Sequence, residues 1–272
     1  NTRDIMTLVH EFGHFNADFY STDSVLWGSS NIDVAEIQSQ GLEVLFSQFA
    51  GEMYGEENAE AMNADTIYNM LYAIDEGCMY DEFQQYVYRT PGITLDDVNA
   101  AFKRIAEEYG YYFQKDSAVY MWMDVHHNFQ SPMYYVSYAT SALAALEIWS
   151  ELQVNPESAT EMYMEISASS RLVGYDDTLE NAGLPDVFEE GNIQKLAQAI
   201  EDAFDDTETE PETPAEPEPD TPAAPQPEEE GAPAVVWVAV GIAAAVAVII
   251  VVFAVLVSKK DRKSRDGGTF KD

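Results

Sequence analysis

The chain has 272 residues, with 13 Lys and Arg against 49 Asp and Glu, a formal charge of -36. That length suffices for one sizeable core or two small ones. So acidic a chain excludes nucleic-acid binding by phosphate neutralisation, and a single cysteine, Cys78, excludes an intramolecular disulfide and a Cys-rich zinc site.

The first predicted element is a helix around LVHEFGHF, Leu8 to Phe15, in an apolar setting with Ile5 and Met6. His10, Glu11 and His14 spell H-E-x-x-H and use half of the four histidines. On a helix, positions i and i+4 share a face, so His10 and His14 can reach one metal. Glu11 sits beside them, placed to take a proton from an attacking water. Two imidazoles and a carboxylate suit zinc with a fourth position open. An amphipathic helix with two incidental histidines is the plainer reading. No charged n-region or apolar h-region opens the chain and Asn1 replaces an initiator methionine, so a fragment or the C-terminal part of a longer protein is expected.

A second helix is expected from near Asp33 through Val44, Leu45 and Phe49. Glu36 and Glu43 lie two turns apart on its one face, among apolar residues where an unpaired carboxylate is costly. Glu36 is assigned as the third metal ligand, with a capping box to Asp33 as the plainer alternative. Glu43 is the candidate acceptor for a ligand histidine's second N–H. Further on, the flanks of Cys78 read as helix, so a buried thiol is expected. Thr94 and Asp97 form a capping box that opens a helix through Phe102 and Ile105. Trp122 to Trp149 packs His126, His127, Tyr134, Tyr135 and Tyr138 ahead of a helix over Ser141 to Leu152. Buried tyrosine hydroxyls need partners, and aimed at a scissile carbonyl they would donate to a developing oxyanion. An aromatic packing stripe is the plainer account of at least one of them. Ile193, Leu196, Ala197, Ile200 and Phe204 recur at helical spacing. Strand signals are sparse, so residues 1–204 are expected to be a mainly α globular domain.

The composition then changes. Residues 205–233 lack any large apolar side chain, and 202–230 hold 12 acidic and no basic residues. Proline and mutual repulsion predict an extended, disordered stalk. Ala234 to Val257 runs 24 residues without a charge, enough to cross a bilayer as a helix. Residues 259–272 hold 6 basic and 3 acidic side chains, which predicts a cytoplasmic tail over 258–272. The expected architecture is single-pass: an extracellular domain 1–204, the stalk, a span that meets the lipid bilayer, and the tail. Cutting within 205–233 would release the domain.

HEFGH followed by DVAEIQSQGLE resembles the thimet oligopeptidase and oligoendopeptidase F family of zinc peptidases. In that family the third ligand is a glutamate on the helix after the motif, which corresponds to Glu36. The segment WMDVHHNFQSPMYYVSYATSALAALEIW resembles the family's downstream block, where a histidine precedes a tyrosine cluster ending in Y-A-T-[SG]. By that resemblance His127 is the family histidine, and Tyr135 and Tyr138 match the substrate-contacting pair, with Tyr134 an open alternative. The resemblance implies a helical zincin-type catalytic domain, one Zn2+ per chain held by His10, His14 and Glu36, Glu11 as general base, and short peptides as substrates. The family's catalytic unit is larger, and its N-terminal half, which supplies the other channel wall, has no counterpart in this sequence. The expected function is a membrane-anchored zinc metalloendopeptidase at the cell surface. An inactive, surface-tethered peptide-binding module is the alternative, and a thermolysin-like hydrolase is a third reading against which Y-A-T-S argues.

Overall fold

The structure is a computed structural model that describes residues 2–21, 31–113, 115–170, 172–189 and 191–205. The expected stalk, span and tail lie outside the described residues. Among the described residues there is no strand, and no helix is long and apolar enough to cross a membrane.

The helices are α1 (Thr2–Tyr20), α2 (Ile32–Phe46), α3 (Ala50–Tyr54), α4 (Glu56–Arg89), α5 (Leu95–Glu108), α6 (His127–Gln130), α7 (Val136–Val154), α8 (Pro156–Ala168), α9 (Tyr175–Ala182) and α10 (Asn192–Asp205). A 3-10 stretch, Asp116–Met123, precedes α6. The mainly α expectation therefore holds. Local chemistry sets several helix starts. Asn31 caps α2 by accepting from the Asp33 N–H at 3.2 Å. Thr94 and Asp97 make both bonds of the predicted capping box. Pro156 at the first turn of α8 follows its cap Asn155, whose side chain accepts from the Ser158 N–H.

The core is built around α7, which packs on α2, α4, α8 and α10. Ala142, Ala144, Ala145, Leu146 and Ile148 are all fully buried, so α7 is covered on nearly every side. Small residues let its neighbours approach closely. A Cβ on Gly77 of α4 would stand 2.8 Å from the Ala139 Cβ. A second cluster, with Phe83, Phe102, Ile105 and Tyr109, joins α4 to α5. Cys78 is half-buried between the two clusters, and burial, with Asp81 and Asp75 nearby, pushes its thiol up to about 12. It stays a protonated packing group at neutral pH.

What positions the site is the α1–α2 pair. Val9, Gly13 and Ala17 form the buried face of α1. A Cβ on Gly13 would strike the Gln38 carbonyl oxygen and lie 2.6 Å from the Ser39 Cα. Glycine within H-E-F-G-H therefore lets the two helix backbones touch. On its other side α2 is tied to α7, because Ser137 donates to the Asp33 carboxylate at 2.6 Å and Ser141 to the Asp33 carbonyl at 3.2 Å.

Candidate metal centre

One helical turn separates His10 from His14 on α1, and both face Glu36, which is 6 % exposed on α2. Glu36 Oε2 lies 3.4 Å from His10 Nε2 and 3.6 Å from His14 Nε2. One donor atom from each of the three residues falls within 4.8 Å of the others. Ligands bound at about 2.0–2.2 Å in a tetrahedron stand about 3.3–3.6 Å apart. The two nitrogen–oxygen separations have that spacing, and two imidazoles with a carboxylate are donor types that zinc takes.

Around these atoms lies a shell that holds them. The Nδ1 side of His10 meets Glu43 Oε1 at 2.7 Å, which leaves Nε2 as the ligating nitrogen. Ser39 donates to Glu36 Oε2 at 2.9 Å, and Tyr134 donates to Glu36 Oε1 at 2.8 Å. Asn31, not Asp33, caps α2, so Glu36 is not the partner in a capping box with Asp33 and its carboxylate faces the two histidines.

The electrostatics favour a cation between these carboxylates. Burial opposes charge on His10, but the hydrogen bonds and charges of Glu36 and Glu43 outweigh it and raise the ring to about 10. Burial likewise opposes charge on Glu36, and the bonds from His10, Tyr134 and Ser39, with the charge of His14, hold it down at about 2.

The downstream residues gather at the same place. The His127 ring lies 5.2 Å from Tyr134, 5.6 Å from Tyr135 and 5.8 Å from Tyr138. Burial, then the charge of His126, lower the His127 pKa, so the ring is neutral at physiological pH. The three tyrosines divide. Tyr134 is committed to Glu36. Tyr135 turns towards α4 and donates to Glu76 Oε2 at 3.0 Å. Tyr138 packs against Tyr134, and burial and the Glu36 charge raise its pKa, so it is a protonated donor beside the cluster. Glu11 follows His10 on α1 and is exposed. His10, His14, Glu36, His127, Tyr135 and Tyr138 are linked directly or through Tyr134, with the Tyr135 hydroxyl directed elsewhere. Ser39, Tyr134 and Glu76 complete the shell. The spacing Glu36–Ser39, one turn apart, was the available signal for Ser39.

Clefts open on both sides of the histidine pair. A cleft of about 560 Å³ is lined by Arg3, Thr7, His10, Glu43 and Asp65, and one of about 260 Å³ by His14, Asp18, Asn31 and Gln38. A third, apolar cavity of about 460 Å³ between α4 and α7 includes none of the cluster's residues.

The description of peptidase family M3 matches residues 1–169. The chain belongs to peptidase family M3. That family is zinc-dependent, in keeping with the donor set. Solved structures share the fold. PZ peptidase A, solved with an inhibitor, is 23 % identical with a TM-score of 0.69, over 75 % of this chain and 38 % of that one. A protein described as oligoendopeptidase F has the same identity and TM-score over 76 % and 38 %. One described as oligoendopeptidase F from Bacillus anthracis is 24 % identical at 0.60, over 75 % and 35 %. The chain thus spans about two fifths of the length of these structures. No curated protein matches it.

Proposed function

We propose that this M3 chain carries the metal centre of a zinc metalloendopeptidase that cleaves short peptides at a cell surface. The observation that carries the proposal is the convergence of His10, His14 and Glu36 on one point, with Glu11 the residue after His10 on the same helix. When bound, zinc supplies a Lewis acid and an acidified water. Glu11 takes the proton of the attacking water and returns it to the leaving amine. Tyr138 donates to the oxygen on which charge develops, and neutral His127 is a second donor at the same side. Tyr134 and Ser39 keep Glu36 fixed, Glu43 fixes the His10 ring, and Tyr135 braces the tyrosine cluster on Glu76. Residues 205–233 serve as the stalk, 234–257 cross the bilayer, and 258–272 stay cytoplasmic. The uncharged 24-residue run followed by basic residues supports this arrangement.

The test compares the full chain with Glu11→Gln, measuring bound zinc and the hydrolysis of short fluorogenic peptides. Zinc should be retained while kcat falls by about 10³-fold or more, the loss of a general base together with its positioning of water. Equal hydrolysis by both proteins would overturn the mechanism. Zinc in both with hydrolysis in neither would favour the peptide-binding module. On intact cells, external protease should shed residues 1–204, and an unaltered chain would remove the surface assignment.

A further inference from the structure

Met133 is the only residue other than glycine with a positive φ among the described residues, at 66°. It sits in the turn between α6, which carries His127, and α7, which carries Tyr138. Tyr134, its immediate neighbour, donates to the metal-facing Glu36. A methionine gains nothing from the left-handed region, where its Cβ crowds the following carbonyl. Such strain persists only where surrounding contacts hold it.

One contact does this across a long stretch of chain. The Met133 N–H donates to Gln84 Oε1 at 2.6 Å, from 49 residues away on α4. Gln84 is 2 % exposed, and its Nε2 has no hydrogen-bond partner. An N–H donor requires an acceptor, so this bond fixes which way the Gln84 amide points and leaves its other end unpaired. A buried amide at a helix face is an expensive choice unless its one bond matters. Around it, Tyr134 N–H reaches the Ser131 carbonyl at 3.2 Å, Ser131 N–H the His127 carbonyl at 3.1 Å and Ser137 N–H the Tyr134 carbonyl at 2.8 Å, none of which touches the Met133 amide.

We infer that Gln84 is a positioning residue for the tyrosine side of the site, acting through Met133. It holds the turn in its left-handed form, which aims Tyr134 at Glu36 and sets the first turn of α7 that presents Tyr138. The cost of the left-handed methionine and the worth of one buried hydrogen bond are of the same size. Removing the acceptor therefore frees the turn to relax, and placing glycine at 133 removes the reason to relax. The catalytic part of this inference rests on the metallopeptidase reading, whereas its structural part does not.

The experiment uses the full chain with Gln84→Met, Met133→Gly and the double variant. Gln84→Met keeps the volume and loses the acceptor. Amide hydrogen exchange over residues 131–138 reads the turn directly, and kcat and KM on short peptides read the site. Gln84→Met should speed exchange over Met133–Tyr138 by about tenfold or more, with exchange in α5 unchanged. It should lower kcat by about tenfold with little change in KM. Met133→Gly should resemble the parent, and the double variant should recover most of kcat. Unchanged exchange in Gln84→Met would overturn the inference, as would a double variant no better than Gln84→Met. A parent chain that holds zinc but cleaves nothing would count against the peptidase reading alone, because the exchange arm still decides the role of Gln84.

Discussion

At the scale of single residues, the site depends on side chains that are absent as much as on those present. Gly13 lies between Glu11 and His14 on α1 and against the α2 backbone. Adding one methyl there cannot be absorbed by a flexible side chain, because the Gln38 carbonyl and the Ser39 Cα stand in its place. Gly13→Ala should push α1 off α2 and draw both histidines away from Glu36. Overpacking of this kind costs about 1–3 kcal/mol, and zinc affinity in a chelator competition should fall by about a hundredfold. A variant with parental zinc affinity would show that α1 is not positioned by this contact. The grouping of His10, His14 and Glu36 was legible in the sequence. His10 and His14 obey helix spacing, and the acidic Glu36 and Glu43 stood out among apolar neighbours. The division of labour among Tyr134, Tyr135 and Tyr138 was not. Adjacent tyrosines differ in direction by a helical step, and what decides their partners is Glu36 on α2 and Glu76 on α4, far away in sequence.

At the scale of elements, helix ends and periodic faces were readable because their causes are local. Thr94 with Asp97 announced α5, and the Ile193–Phe204 spacing announced α10. The α6–α7 turn was not readable, because its left-handed residue is a methionine where glycine or asparagine would have marked it. The centrality of α7 brings a pH dependence. Glu147 lies between buried neighbours on this helix, and burial pushes it up to about 7 against a partial opposing effect of Lys195. Its folded pKa exceeds the unfolded value of 4.5, so the folded state holds the proton more tightly. The stability this gives is complete below pH 4.5 and is lost as pH rises through about 7. Glu147→Gln should remove that loss. Its advantage in stability over the parent should grow between pH 4.5 and pH 8 to about 1–3 kcal/mol, read as Tm across the pH series. Parallel Tm curves for the two proteins would place the titration elsewhere.

At the scale of the whole molecule, the buried face of α1 explains its packing on α2, and its outer face remains open. Leu8, Phe12, Phe15 and Phe19 are 69 %, 51 %, 56 % and 69 % exposed, at steps of four, three and four residues that make a continuous stripe. The three phenylalanines stack in sequence, with ring centroids 5.4 and 6.2 Å apart. Contiguous apolar surface of this kind marks an interface or an association hazard. The solved structures with this fold are more than twice as long as the part matched, so in them more chain is available to cover such a face. In the chain as given, the stripe should drive self-association once residues 1–205 are separated from the rest. Sedimentation of that fragment should show dimers or larger species that dissociate on dilution. Phe15→Gln with Phe19→Gln should shift it towards monomer while bound zinc and helix content stay constant, since neither side chain supports the His10–His14–Glu36 face. A parental fragment that sediments as a monomer at all concentrations would mean that the stripe does not drive association. A double variant that loses zinc would mean instead that the outer face of α1 helps to hold the metal centre.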